Sequence, residues 1–166
     1  MLLVVLCVNL FISCQKQPAP DLFTPELLTS RAEQSDEELI RIGEDARRTL
    51  PIFFRYLTRP EAGMDNFYVK YPFKADEDSG LAMEQVWLTG IHFKNGEYYG
   101  ILTNTPLHLD EIKKGDTVTF DIDEVTDWMY VLDGKIAGGR SIKYLLEKIP
   151  ESRRGDDQRK ILQMFD

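Results

Sequence analysis

The chain has 166 residues, with 28 acidic against 20 basic side chains, a net charge of −8 and two cysteines. That balance argues against a nucleic-acid partner, because phosphate recognition needs clustered Lys and Arg, and it suits a soluble domain of the cell envelope. The length allows one domain with a sufficient core of its own, since a chain of about 150 residues buries roughly 68–70% of its unfolded surface.

Residues 1–13 form an uncharged apolar run that Cys14 closes, with the small Ser13 just before it. The run is too short to span about 30 Å of hydrocarbon as a helix, and it has the form of a lipoprotein signal peptide. It departs from the usual pattern at Phe11, where Leu is common, and in having no Lys or Arg ahead of it, which leaves open a start codon upstream of Met1. An ordinary cleaved signal and an uncleaved apolar anchor are the alternatives. On the lipoprotein reading Cys14 carries acyl chains, which together give stable membrane anchoring where one chain is marginal. Cys7 leaves with the signal, so no disulfide or thiolate chemistry is expected. Gln15 after the cysteine, rather than Asp, favours the outer membrane if the cell is Gram-negative. Residues 14–34, with Pro18, Pro20 and Pro25, read as the lipidated cysteine and a flexible tether, and residues 35–166 as a single domain.

Ser35-Asp-Glu-Glu38 has the form of a capping box. Leu39, Ile42, Ala46, Leu50, Phe53 and Leu57 then recur at three- and four-residue steps, which predicts an amphipathic helix with Arg41, Glu44, Asp45, Arg47 and Arg48 in water. Pro51 is expected to kink or split it. From Phe67 the period becomes two, with Phe67, Val69, Tyr71 and Phe73 on one face and Tyr68 and Lys70 on the other. Val86 and Leu88 begin a second strand. Lys94-Asn-Gly-Glu97 then predicts a tight hairpin returning through Tyr98–Thr103. Lys113-Lys-Gly-Asp116 turns into Thr117–Ile122, and residues 128–132 pair through Asp133-Gly134 with Lys135–Ala137. Short helices are expected around Tyr144–Ile149 and Ile161–Phe165. The fold class is α+β: an N-terminal amphipathic helix packed on a curved, mainly antiparallel sheet, with short C-terminal helices.

The order Ala46-Arg-Arg-Thr-Leu-Pro51, Phe67-Tyr-Val-Lys70, Glu84-Gln-Val-Trp87, Asn104-Thr-Pro106, Lys114-Gly-Asp116, Asp127-Trp-Met-Tyr130 and Gly134-Lys-Ile-Ala-Gly-Gly139 resembles the bacterial YegJ-like domain of unknown function. The resemblance covers about residues 36–149. It carries no established biochemical activity over to this chain. The corresponding pattern around the first tryptophan is Glu-His-x-Trp, whereas Gln85 stands in the histidine's place here.

His108 and Asp110 offer two metal ligands that His92 could join across the sheet, short of the supported set of three or four that zinc needs. Asp76-Glu-Asp-Ser-Gly80 is an acidic loop that lacks the third acidic ligand before glycine and the downstream bidentate glutamate of a calcium site, so it reads as a solvated loop. No metal and no cofactor are expected. Glu84 and Asp127 each lie near a tryptophan at a strand start, where unequal desolvation could separate two carboxyl groups into acid and base. The competing reading pairs them with Arg140 or uses them to cap turn amides. Asn104 is expected to bond its own backbone in a turn.

Two functions fit. The first is a membrane-anchored, non-enzymatic module that holds an envelope protein or cell-wall ligand on a face lined by Trp87, Asn104, Trp128, Tyr130 and Arg140. The second is a hydrolase using Glu84 and Asp127.

Overall fold

The computed structural model describes residues 36–165, so the signal run, Cys14, the tether and Ser35 lie outside the described residues. Helix α1 spans Glu37–Thr58 and is capped by Asp36, whose side chain accepts from the Glu38 amide at 3.0 Å. The cap is thus one residue later than the capping-box pattern suggested. Pro51 sits inside α1 without splitting it. Leu50 and Phe53, on either side, are both buried, so core packing holds the turn where the proline removes an amide donor to Arg47.

Six strands follow: β1 (Met64–Lys74), β2 (Met83–Lys94), β3 (Glu97–Leu102), β4 (Thr117–Phe120), β5 (Asp127–Leu132) and β6 (Lys135–Gly138). They form one antiparallel sheet in the order β4-β3-β2-β1-β5-β6. Hence β1 to β4 are a meander, and the β5–β6 hairpin adds to the outer side of β1. Asn95 and Gly96 take φ 54 and 90, and Asp133 and Gly134 take φ 49 and 79, the left-handed pairs that close two-residue hairpins. The strand expected over residues 117–122 ends at Phe120, where Ile122–Glu124 turns as a 3-10 helix. Helices α2 (Arg140–Lys148) and α3 (Asp156–Gln163) complete the domain.

Alternation along the strands sorts the interior into two layers. Val69, Val86, Leu88, Trp128 and Tyr130 face α1, packing with Ala46, Leu50 and Phe53. Trp87, Met129, Val131 and Ile136 face the other way and pack with Ile142, Leu146 and Ile161 of α2 and α3. The fold is therefore the expected α+β arrangement, with a helical layer on each face of an open sheet. The outer edge of β6 does not stand bare: the Ile136 amide donates to Met164 O, and Lys135 Nζ donates to Gln163 O.

Candidate functional site

Glu84 and Asp127 are both interior, 4% and 2% exposed. Glu84 opens β2 on the face shared by Val86 and Leu88. Its Oε1 accepts from the Leu107 amide and its Oε2 from the His108 amide, each at 2.7 Å, so it staples the loop after β3 to the sheet. Asp127 opens β5 on the opposite face, beside Met129 and Val131. Its Oδ1 accepts from the Trp128 amide at 2.8 Å, and its Oδ2 accepts from the Ser141 amide at 2.8 Å and the Ser141 hydroxyl at 2.7 Å. It therefore caps the start of α2. Burial pushes the Asp127 carboxyl above its ordinary range, while the Ser141 donors, the Lys70 charge and the Trp128 amide pull the other way.

These two carboxylates do not form an acid–base pair. Asp127 pairs with Lys70 and Lys70 with Trp87, three residues beyond Glu84. Two strand spacings and three residues of rise put the two positions about 14 Å apart. They also point to opposite sides of the sheet, whereas a carboxylate pair that cleaves one bond lies within about 5–9.5 Å.

The expected ligand-holding face is likewise interior, apart from Arg140. Trp87 is fully buried in the α2–α3 layer, and Trp128 and Tyr130 are only 8% and 7% exposed in the α1 layer. The Trp128 indole donates to Thr49 Oγ1 at 3.0 Å. Asn104 Oδ1 accepts from the Trp87 amide at 3.3 Å instead of closing its own turn. Arg140 is exposed and pairs with Asp45 at 3.1 Å, not with either buried carboxylate. His92 stacks on Tyr99 with its Nδ1 beside Gly90 O, eight residues of β2 away from the Glu84 end where His108 lies, so the two histidines do not meet. Asp76 accepts from the Asp110 amide at 2.9 Å, which ties the acidic loop down. Among the described residues no group of three or more His, Cys, Asp and Glu is placed to hold a metal ion.

Besides a wide, charged hollow of about 420 Å³ between α1 and α2, lined by Arg41, Asp45, Arg140 and Glu147, the domain opens a cleft of about 220 Å³ where the N-terminal half of α1 passes the sheet. Leu39, Ile40, Gly43 and Arg47 form its helical wall. Lys70, Gln85 and Thr126 form the opposing one, and Ser141 closes an end. The sequence pattern placed Arg47 in water. Instead it is half-buried, with Nη1 donating to Val125 O at 3.2 Å. Thr126 Oγ1 donates to Gln85 Oε1 at 2.7 Å, which fixes the side chain at the position where the resembled pattern has histidine. Lys70 is 2% exposed and faces Asp127. Gly43 is a buried residue in the interior of α1, where Gly costs about 1 kcal/mol relative to Ala. A Cβ there would lie 3.4 Å from Arg47 Nη1 and 3.6 Å from Thr126 O, ordinary contact distances, so packing does not demand the glycine. The local signals for this cleft were a lysine inside a strand and a glycine inside a helix.

Fold and site together define an α+β domain whose buried carboxylates are spent on loop and helix amides and which carries a small donor-lined cleft beside α1. The chain belongs to the family described as "Uncharacterized protein conserved in bacteria (DUF2314)", which matches residues 36–161. It is 34% identical over 126 residues to a putative ankyrin repeat protein of Neisseria meningitidis serogroup B, covering 74% of this chain and 50% of that protein. The chain thus spans half the length of that relative. It is 29% identical over 117 residues to the uncharacterized protein YegJ of Escherichia coli K12, covering 70% of this chain and 72% of that one. No solved structure matches it.

Proposed function

We propose that this protein is a lipid-anchored envelope protein whose domain is a non-enzymatic binding module for an envelope protein or a cell-wall ligand. The observation that carries the non-enzymatic part is the use of Glu84 and Asp127: both are engaged by backbone amides, on opposite faces of the sheet. The apolar run closed by Cys14 supports the anchor. Tethering to a membrane raises the effective concentration of a small module near its partner, which lets modest affinity suffice.

The test uses the full-length tagged chain in its native envelope. Labelled palmitate is expected on the wild type and not on Cys14→Ala, which should leave the membrane fraction. Crosslinking followed by purification is expected to recover one reproducible envelope component, with recovery falling when Cys14 is replaced. An unlabelled wild-type protein would refute the anchor. Turnover of a substrate, abolished by Glu84→Gln or Asp127→Asn in folded protein, would refute the non-enzymatic reading.

A further inference from the structure

We propose that the cleft between α1 and the sheet binds the carboxylate of a small, partly apolar molecule, with Arg47 as its anchor. This deepens the binding-module reading and rests on it. The walls are rich in donors. Arg47 uses Nη1 on Val125 O, and among the described residues no carboxylate pairs with its guanidinium, which leaves a planar fork of donors suited to a carboxylate. Gln85 spends its oxygen on Thr126, which leaves its amide nitrogen with two further donors.

The charge count selects the class of anion. Lys70 is already engaged and faces Asp127, so among the lining residues Arg47 is the cation that no described carboxylate pairs with. A single charge matches a monoanionic carboxylate, whereas a phosphate dianion would leave one charge uncompensated at a half-buried site. The volume of about 220 Å³ fits a small molecule or the last residue of a peptide. Ile40, 49% exposed on the helical wall, gives the ligand's apolar group a surface to cover. The absence of a Cβ at Gly43, where one would fit, keeps the cleft open beside Arg47.

The experiment is a calorimetric and NMR titration of the full-length chain in detergent with N-acetyl-leucine and N-acetyl-leucinamide. A tripeptide ending in leucine, with a free or an amidated C-terminus, is titrated alongside. Saturable binding of the free acids at millimolar concentration is expected, with the amides weaker by about tenfold or more because a charge-assisted pair is lost. Binding by both free acids assigns the shared carboxylate; binding by one of them fixes the source as a small acid or a peptide end. Arg47→Gln should weaken the acids by a similar factor, and Gln85→Leu should do the same in a protein whose α1 is untouched. No saturable acid binding, equal binding of acid and amide, or full affinity in folded Arg47→Gln overturns the proposal. An envelope component recovered equally by Arg47→Gln would overturn the cleft while leaving the binding module standing.

Discussion

Replacement of Asp127 by Ala has a size that the geometry sets closely. It strands the Trp128 amide, the Ser141 amide and the Ser141 hydroxyl, each now bonded at 2.7 or 2.8 Å, and removes the anion facing Lys70. Each stranded buried donor costs about 1–3 kcal/mol. Removing one partner of a buried charge pair costs about 3–5 kcal/mol in all, part of the donor loss being common to both figures. A loss of about 4 kcal/mol is expected, which in a domain of this size lowers Tm by about 12 °C. Asp127→Asn keeps an acceptor for the Trp128 amide but turns an NH2 toward the Ser141 amide, for a loss of about 2 kcal/mol. Urea unfolding followed by circular dichroism measures both. The pH dependence carries a sign. Because burial raises the folded carboxyl above its ordinary 3.8, the folded chain holds this proton to higher pH than the unfolded one. Its contribution is therefore fully present below pH 3.8 and is lost as the pH rises through the raised folded value. The margin of wild type over Asp127→Asn should narrow with rising pH in that window. A loss below about 1 kcal/mol for Asp127→Ala would refute the helix-capping role, whereas a margin that widens with pH would show that the Ser141 donors and Lys70 outweigh burial at this carboxyl.

Glu84→Ala should cost about 2–4 kcal/mol by stranding two amides, and hydrogen exchange should show protection lost at Leu107 and His108. Asp36 is held at about 2, chiefly by Lys148 and then by Tyr144 and the Glu38 amide. Its contribution is present above 3.8 and lost as the pH falls through about 2, so Asp36→Asn should flatten the acid end of a melting-temperature profile. Gly43→Ala should stabilise the domain by up to about 1 kcal/mol in urea unfolding, since helix propensity gains and no clash opposes it.

Local chemistry made much of this fold legible. Asn95-Gly96 and Asp133-Gly134 announce their hairpins because positive φ is a property of two residues, and Phe67–Phe73 announce a strand because alternation needs no distant partner. Whatever depended on partners remote in sequence was out of reach. Leu107 and His108 lie more than twenty positions from Glu84, and nothing in the sequence favours their amides over Arg140 as its partner. Arg47 falls on the polar side of the helical period, yet α1 meets the Val125–Thr126 segment there and draws the guanidinium inward. The tryptophans read equally well as ligand platform or as core, and only the two-layer packing decides for core.

The position of β1 at the middle of the sheet bears on how the chain finds its fold. Its neighbours on one side follow it directly through a meander, whereas on the other side Lys70 must meet Asp127, closing a loop of about 57 residues at an entropy cost of about 3–4 kcal/mol. The meander and the β5–β6 hairpin can each form from near neighbours in the sequence, and their docking along β1 is the non-local step expected to limit the refolding rate. Asp127 sits on that seam and Glu84 does not. In refolding kinetics, replacing Asp127 should therefore slow the folding arm, and replacing Glu84 should mainly speed unfolding.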